Sequence, residues 1–147
     1  MPLLFSRRPK RRIGRVLIVE DEAIVAFDNE TLLLDAGYEV AGTVDNAAEA
    51  IALMDGSDVD LVLTDVELSG EGDGLDVARA ASARGIAVLF AAGTCPVGGD
   101  GFALGYLAKP FSTAMLKSAI AVVDQIVAGE TPRRVPEALS LYGVGEQ

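Results

Sequence analysis

Strand-length apolar runs alternate with helix-length segments five times along the chain, and this alternation constrains the fold more than any other feature. The runs are "RVLIV" (15–19), "YEVAGTV" (38–44), "VDLVLTD" (59–65), "IAVLFAA" (86–92) and "GYLAK" (105–109). Short connections between such units favour a parallel sheet with helices on both faces. We therefore predict an α/β fold: a doubly wound, five-stranded parallel sheet of the flavodoxin-like type.

Helical periodicity predicts which side chains share a helix face. The segment 23–36 places three apolar residues on one stripe, namely Ala23, Phe27 and Leu34. Asn46 and Ser112 are suitable N-caps for the second and last helices, and another helix is expected over about 74–84. Apolar residues recur at helical spacing on the last helix, at Leu116, Ala119, Ile120, Val123 and Val127.

The length of 147 residues, half of them apolar, suits one compact domain. We predict a domain over 13–128, preceded by a basic N-terminal tail at 1–12. A C-terminal tail at 129–147 contains "EALSLY", which could form a helical turn. Residues 7–12 carry five cations and are interpreted as a solvated tail that permits weak binding to an anionic membrane or partner. The oligomeric state is left open.

The charge balance excludes several functions. Residues 13–128 hold five cations and nineteen acids, so we expect no direct nucleic acid binding by the body. The chain has no histidine to act as a base, zinc ligand or phosphocarrier. Its single cysteine, Cys95, rules out an intrachain disulfide and favours a cytoplasmic location. Since no apolar run reaches the roughly 20 residues of a membrane span, we predict no transmembrane segment.

Charged residues follow three of the predicted strands. Glu20 and Asp21 follow the first strand, Asp65 ends the third and Lys109 ends the fifth. Ligands of doubly wound sheets bind at the carboxyl ends of the strands, where these side chains converge. One lysine cannot balance three carboxylates, and a site of carboxylate oxygens suits Mg²⁺. The sequence therefore predicts a site for a divalent cation and a phosphoryl group.

These motifs resemble the receiver domains of two-component response regulators. The matching stretches are "VLIVEDE", "LVLTD" and "GYLAKPF", and the resemblance spans about 14–128. It implies that Asp65 accepts a phosphoryl group from a histidine kinase or a histidine phosphotransfer protein. It also implies that Glu20, Asp21, Asp65 and the backbone carbonyl of Glu67 bind Mg²⁺, and that Lys109 contacts the phosphoryl oxygens.

The region after the fourth strand departs from the family pattern. Small stand-alone receivers often read Phe-Ala-Thr-Gly there, whereas this chain has Ala92 in place of the threonine. Thr94 is a loop residue that could partly replace the missing hydroxyl. Tyr106 is the aromatic residue that, in the family, moves as a switch. "PVGGDGFAL" (96–104) has three glycines and a proline, which disfavour a helix, so the fourth helix is expected to be short or irregular.

Three functions remain open from the sequence. The first is a stand-alone response regulator that accepts phosphate on Asp65 and signals by protein–protein contact to an unknown downstream protein. The second is a degenerate receiver that binds proteins independently of phosphorylation. The third is a phosphohydrolase with an aspartyl-phosphate intermediate, for which "EDEAI" (20–24) offers carboxylates at the right spacing but no aspartate nucleophile. We therefore expect a non-enzymatic phosphoacceptor.

Overall fold

The structure is a computed structural model that describes residues 13–99 and 101–142. Its strands are β1 (Arg15–Val19), β2 (Glu39–Val44), β3 (Leu61–Thr64), β4 (Ala87–Ala92), β5 (Gly105–Ala108) and β6 (Leu139–Leu141). Its helices are α1 (Ala23–Asp35), α2 (Ala47–Gly56), α3 (Gly74–Ala83) and α4 (Thr113–Val127). The predicted basic tail at 1–12 lies outside the described residues. The predicted α/β architecture is confirmed.

The sheet has the order β2-β1-β3-β4-β5-β6. The five strands expected from the sequence pair in parallel. The chain passes from β1 to β2 on one side. It then crosses to β3 on the other side of β1 and continues outwards to β5. The carboxyl ends of β1 and β3 therefore form the switch point of the sheet, where doubly wound folds bind ligands.

β6 is a strand that the sequence did not predict. Residues 139–141 lie in the segment predicted to be a tail, in which "EALSLY" could form a helical turn. The structure corrects that expectation, because these residues pair with β5 in antiparallel orientation. Leu139 anchors the strand, since its side chain is buried in the core beside Leu107. Burial of Leu139 and pairing with a free sheet edge outweigh the helical preference of the local sequence.

Two apolar layers cover the faces of the sheet. The helices α1 and α4 contact each other on one face, where Leu33 and Ile120 are fully buried. The helices α2 and α3 cover the other face around Phe90. The two predicted caps are confirmed: Asn46 accepts a hydrogen bond from the Glu49 N–H, and Ser112 accepts one from the Met115 N–H.

The apolar stripe predicted on α1 faces outwards. Phe27 is 65% exposed and Leu34 is 56% exposed, as is their neighbour Ile24 at 77%. The buried side of the helix instead carries Ala26, Asn29 and Leu33. The helix therefore presents an apolar surface that the described part of the chain does not cover.

The connection between β4 and β5 contains no helix among its described residues, which confirms the expectation for this segment. A tight turn brings the N–H groups of Phe102 and Ala103 to the Gly99 carbonyl. The Phe102 ring lies 5.1 Å from the guanidinium carbon of Arg79 on α3. Phe102 also packs against the apolar cluster that contains Phe90, on the face covered by α2 and α3.

Within the described residues, none of the helices is both long enough and apolar enough to span a bilayer.

Candidate functional site

The structure brings the predicted acidic residues together at the carboxyl edge of the sheet. Glu20 and Asp21 follow β1, and Asp65 follows β3. These residues lie close together because the two strands are adjacent and in register from Val16–Leu61 to Val19–Thr64. Each of the three residues offers a carboxylate oxygen, and these oxygens all lie within 4.8 Å of one another. Glu20 is buried, Asp65 is half-buried and Asp21 is exposed, so the cluster opens to solvent on the side of Asp21.

Lys109 reaches this cluster from the end of β5. Its Nζ donates to Glu20 Oε1 at 3.0 Å and to Asp65 Oδ2 at 3.2 Å. The ammonium group therefore lies between the two carboxylates. Its position is fixed at the backbone, where the Lys109 N–H donates to the Ala92 carbonyl of β4.

Burial dominates the electrostatics of Glu20. Loss of water around its side chain raises its pKa above the ordinary value, although Lys109 and the Glu22 N–H oppose the shift by stabilising the charged form. Burial acts to lower the pKa of Lys109, but the hydrogen bonds and charges of Glu20 and Asp65 outweigh it and raise that pKa. The site therefore favours the charged form of Lys109, whereas burial disfavours the charged form of Glu20.

A close backbone approach positions Asp65. The N–H of Gly74, at the start of α3, donates to the Val66 carbonyl at 2.6 Å. A methyl group on Gly74 would overlap the Asp65 carbonyl oxygen, so only glycine fits here. The side chain of Asp65 is oriented by the Val66 N–H, which donates to its Oδ1 at 2.7 Å. α3 itself begins with a capping box between Asp73 and Asp76.

The loop after β3 contributes a contact that the sequence did not predict. The hydroxyl of Ser69 donates to Asp21 Oδ2 at 3.1 Å and so ties the loop to the acidic cluster. The sequence gives no sign of this contact, because the partner of Ser69 depends on the path of the loop. Glu67 lies exposed in the same loop, and the role of its backbone carbonyl as a metal ligand stays a prediction.

Among the described residues, the side chain of Asp65 is hydrogen-bonded by Val66 and Lys109 and by none of the predicted switch residues. Ala92 is buried at the end of β4 and pairs with Ala108. Thr94 is exposed in the following loop. Tyr106 is half-buried on β5, and its ring centroid lies 6.4 Å from that of Tyr142, just after β6. The methyl group of Ala92 offers no hydrogen bond at the position of the family's threonine.

The donor atoms of the cluster fit a hard divalent cation. All three groups are carboxylates, and oxygen ligands are those that Mg²⁺ prefers. Asp21 is the exposed member, which leaves room for the water ligands that Mg²⁺ usually keeps. The acidic cluster is thus suitable for Mg²⁺, with Glu20, Asp21 and Asp65 as the side chains that would hold it.

A family model for the response regulator receiver domain matches residues 16–121, which include every side chain of this site. The chain belongs to this family. A solved structure with the same fold is the signal receiver domain of a modulated diguanylate cyclase from Desulfovibrio desulfuricans G20. It has a TM-score of 0.72 and 29% identity, covering 79% of this chain and 97% of that one.

Two curated relatives come from Mycobacterium tuberculosis H37Rv. The transcriptional regulatory protein PdtaR is 38% identical over 112 residues, which are 72% of this chain and 54% of PdtaR. The transcriptional regulatory protein TcrA is 35% identical over 140 residues, which are 87% of this chain and 54% of TcrA. The receiver thus spans about half the length of the curated relatives it matches. Both relatives are named as transcriptional regulators. The expectation that this chain does not bind nucleic acid directly therefore stays a prediction.

Proposed function

We propose that this receiver accepts a phosphoryl group on Asp65 from a phosphohistidine of a histidine kinase or phosphotransfer protein and then signals by protein–protein contact. The observation that carries the proposal is the placement of Lys109 Nζ between Glu20 and Asp65. A partly accessible carboxylate with a fixed ammonium group beside it can accept a phosphoryl group while the new negative charge is met by a cation. Because the chain lacks histidine, the phosphohistidine belongs to the partner.

In the transfer, a carboxylate oxygen of Asp65 forms an O–P bond as the N–P bond of the donor breaks. The Val66 N–H holds Asp65 Oδ1, so the carboxylate is oriented before the donor arrives. Lys109 stabilises the negative charge on the transferred phosphoryl oxygens. Bound Mg²⁺ would supply further positive charge against those oxygens.

The surface beside the site supports docking of a protein donor. α1 begins two residues after Asp21, and its exposed Ile24 and Phe27 lie on the first turns of the helix. A cleft of about 430 Å³ is lined by Phe27 and by five acidic residues, namely Glu20, Asp21, Glu30, Asp45 and Glu49. Exposed apolar side chains that border a reactive group favour a protein partner over a small metabolite.

A second candidate function is a protein-binding module that does not depend on phosphorylation. It is favoured by Ala92, which removes the hydroxyl expected at the end of β4, and by the connection to β5, which has no helix in its described residues. The same apolar surface on α1 would serve this function. The two candidates differ in whether Asp65 matters.

Mass spectrometry tests the first proposal. The protein is incubated with Mg²⁺ and acetyl phosphate, and separately with a phosphorylated histidine phosphotransfer protein. We expect a gain of one phosphoryl group that is labile to hydroxylamine, as an acyl phosphate is. Asp65→Asn should remove this gain because an amide is a poor nucleophile.

Asp73→Asn is a matched control at a half-buried acid of the same loop, which caps α3 and does not belong to the acidic cluster. It should retain phosphorylation. Equal labelling of wild type and Asp65→Asn would exclude Asp65 as the acceptor. If neither is labelled and Asp65→Asn binds partners as the wild type does, the phosphorylation-independent module is the correct function.

A further inference from the structure

β6 lies next to β5, the strand that leads to Lys109. β6 itself contributes no residue to the acidic cluster. We propose that the C-terminal strand β6 is a positioning element of the phosphoacceptor site, which holds the backbone of β5 so that Lys109 reaches Asp65 and Glu20. This inference rests on the proposed function of Asp65 as phosphoacceptor. It assigns a role in that function to residues 138–142, which lie beyond the residues 16–121 matched by the family model.

Backbone pairing holds β6 along the whole length of β5. Gly105 pairs with Leu141, Tyr106 with Ser140 and Leu107 with Leu139. Two further hydrogen bonds extend the ladder at its ends, from the Tyr142 N–H to the Leu104 carbonyl at 2.9 Å and from the Ala108 N–H to the Ala138 carbonyl at 2.8 Å. β5 has only four residues. Because the bonds to β6 run from Leu104 to Ala108, β6 supplies the hydrogen bonding along one complete edge of β5.

The last of these bonds lies one residue before Lys109. The Ala108 N–H is held by Ala138 on the side of β6, and the Lys109 N–H is held by Ala92 on the side of β4. The backbone that leads into the lysine is therefore fixed from both sides. Its ammonium group makes contacts of 3.0 and 3.2 Å, which a small backbone shift would break. Transfer reactions are sensitive to such shifts, since a misplacement of about 1 Å can cost 100-fold in rate.

Gly105 provides a selective way to release β6. A methyl group at this position would overlap the Ser140 carbonyl oxygen, and the nearest atoms it would meet all belong to Ser140 and Leu141. The backbone of Gly105 needs no left-handed conformation, because its φ is not among the positive values found. Gly105→Ala therefore acts on the contact between β5 and β6 and leaves the acidic residues unchanged.

The experiment compares full-length wild type and Gly105→Ala. Three quantities are measured: the rate of phosphorylation by acetyl phosphate, the affinity for Mg²⁺ by calorimetry, and hydrogen exchange of residues 138–142. We expect faster exchange, a rate about 10-fold to 100-fold lower, and an affinity for Mg²⁺ that does not fall. The affinity should hold because Glu20, Asp21 and Asp65 lie on other strands.

Gly101→Ala is the matched control, because a methyl group there meets no atom within 4 Å. A rate equal to that of wild type in Gly105→Ala, with exchange of β6 accelerated, would overturn the inference. A parallel loss of rate and Mg²⁺ affinity would also overturn it, because general loosening of the domain would then be the cause. Failure of wild type itself to accept phosphate would instead count against the proposed function.

Leu139→Ala provides a second route if Gly105→Ala does not fold. This change removes the buried anchor of β6 without adding volume against β5. Combined with Lys109→Gln, it should lower the rate by less than it does alone, because β6 acts through the lysine. Equal fold-losses in the presence and absence of Lys109 would refute the positioning role.

Discussion

The two halves of the sheet edge differ in how closely they keep the receiver pattern. On one side, β1 and β3 bring Glu20, Asp21 and Asp65 within reach of Lys109. On the other side, β4 ends in Ala92, the described part of the connection to β5 forms turns, and β6 adds to the edge of β5.

This difference separates two steps of signalling. The carboxylates that would accept a phosphoryl group and hold a metal ion lie together on the first side, and Lys109 reaches them from the end of β5. The groups that would carry the response to a partner have changed on the second. Loss of one hydroxyl hydrogen bond to a charged oxygen costs about 1.5–3 kcal/mol, which can weaken a two-state response. It does not remove the acceptor, the lysine or the carboxylates.

The largest effect is expected from Lys109→Gln, which removes the ammonium group that reaches the first side from the end of β5. Removing the ammonium group leaves the phosphoryl charge without its fixed cation, so phosphorylation by acetyl phosphate should slow by about 100-fold to 1,000-fold. The affinity for Mg²⁺ should not fall, because Lys109 is a positive charge placed against the carboxylates that would hold the metal. Phosphorylation kinetics and calorimetry check these two results.

Lys117→Gln on the exposed side of α4 is the control for loss of one positive charge. It should leave both quantities unchanged. A Lys109→Gln variant that is phosphorylated as fast as wild type would show that the contact with Asp65 has no role in transfer. The geometry of the first side would then be no better a guide to function than that of the second.

The sequence predicted that the charged side chains converge on the first side, because strand ends are easy to locate. Apolar runs that stop at Glu20, Asp65 and Lys109 place these residues at one edge once the sheet is parallel. The contact of Ser69 with Asp21 was out of reach, since it depends on the path of a loop.

Predictions failed where long-range pairing decides the structure. The alternation in "EALSLY" is too short to identify a strand, and its three-residue strand exists because β5 offers a free edge and the core accepts Leu139. Likewise, the stripe on α1 is apolar and helical in period but faces away from the sheet, so Phe27 is exposed. Periodicity identifies a face, whereas the tertiary structure decides what covers it.

A moderate effect is expected on the second side, from Ala92→Thr. A hydroxyl here would add a hydrogen bond to a phosphoryl oxygen on Asp65, worth about 1.5–3 kcal/mol in the phosphorylated state. We expect larger chemical-shift changes around Tyr106 when beryllofluoride, an analogue of the phosphoryl group, is added. Ala92→Val is the control, because it adds the same branched shape without a hydroxyl. Equal responses in both variants would mean that Ala92 does not limit the response.

The smallest effect concerns the charge of Glu20 on the first side of the sheet edge. Burial raises the pKa of Glu20 above its ordinary value of 4.5, which the unfolded chain retains. Between the two values the folded protein binds more protons than the unfolded chain, so the free energy of unfolding falls as pH rises through this window. Glu20→Gln has no such proton, so without Mg²⁺ its stability relative to wild type should improve as pH rises above 4.5.

Urea denaturation at a series of pH values, with a chelator present, measures this difference. Glu22→Gln removes an equal charge from an exposed position two residues away, so comparison of the two variants isolates the effect of burial. The relative gain should be greater for Glu20→Gln than for Glu22→Gln. If instead the relative stability of Glu20→Gln declines with rising pH, then Lys109 fully offsets the cost of burying the charged carboxylate of Glu20. The first side would then be electrostatically balanced without a metal ion.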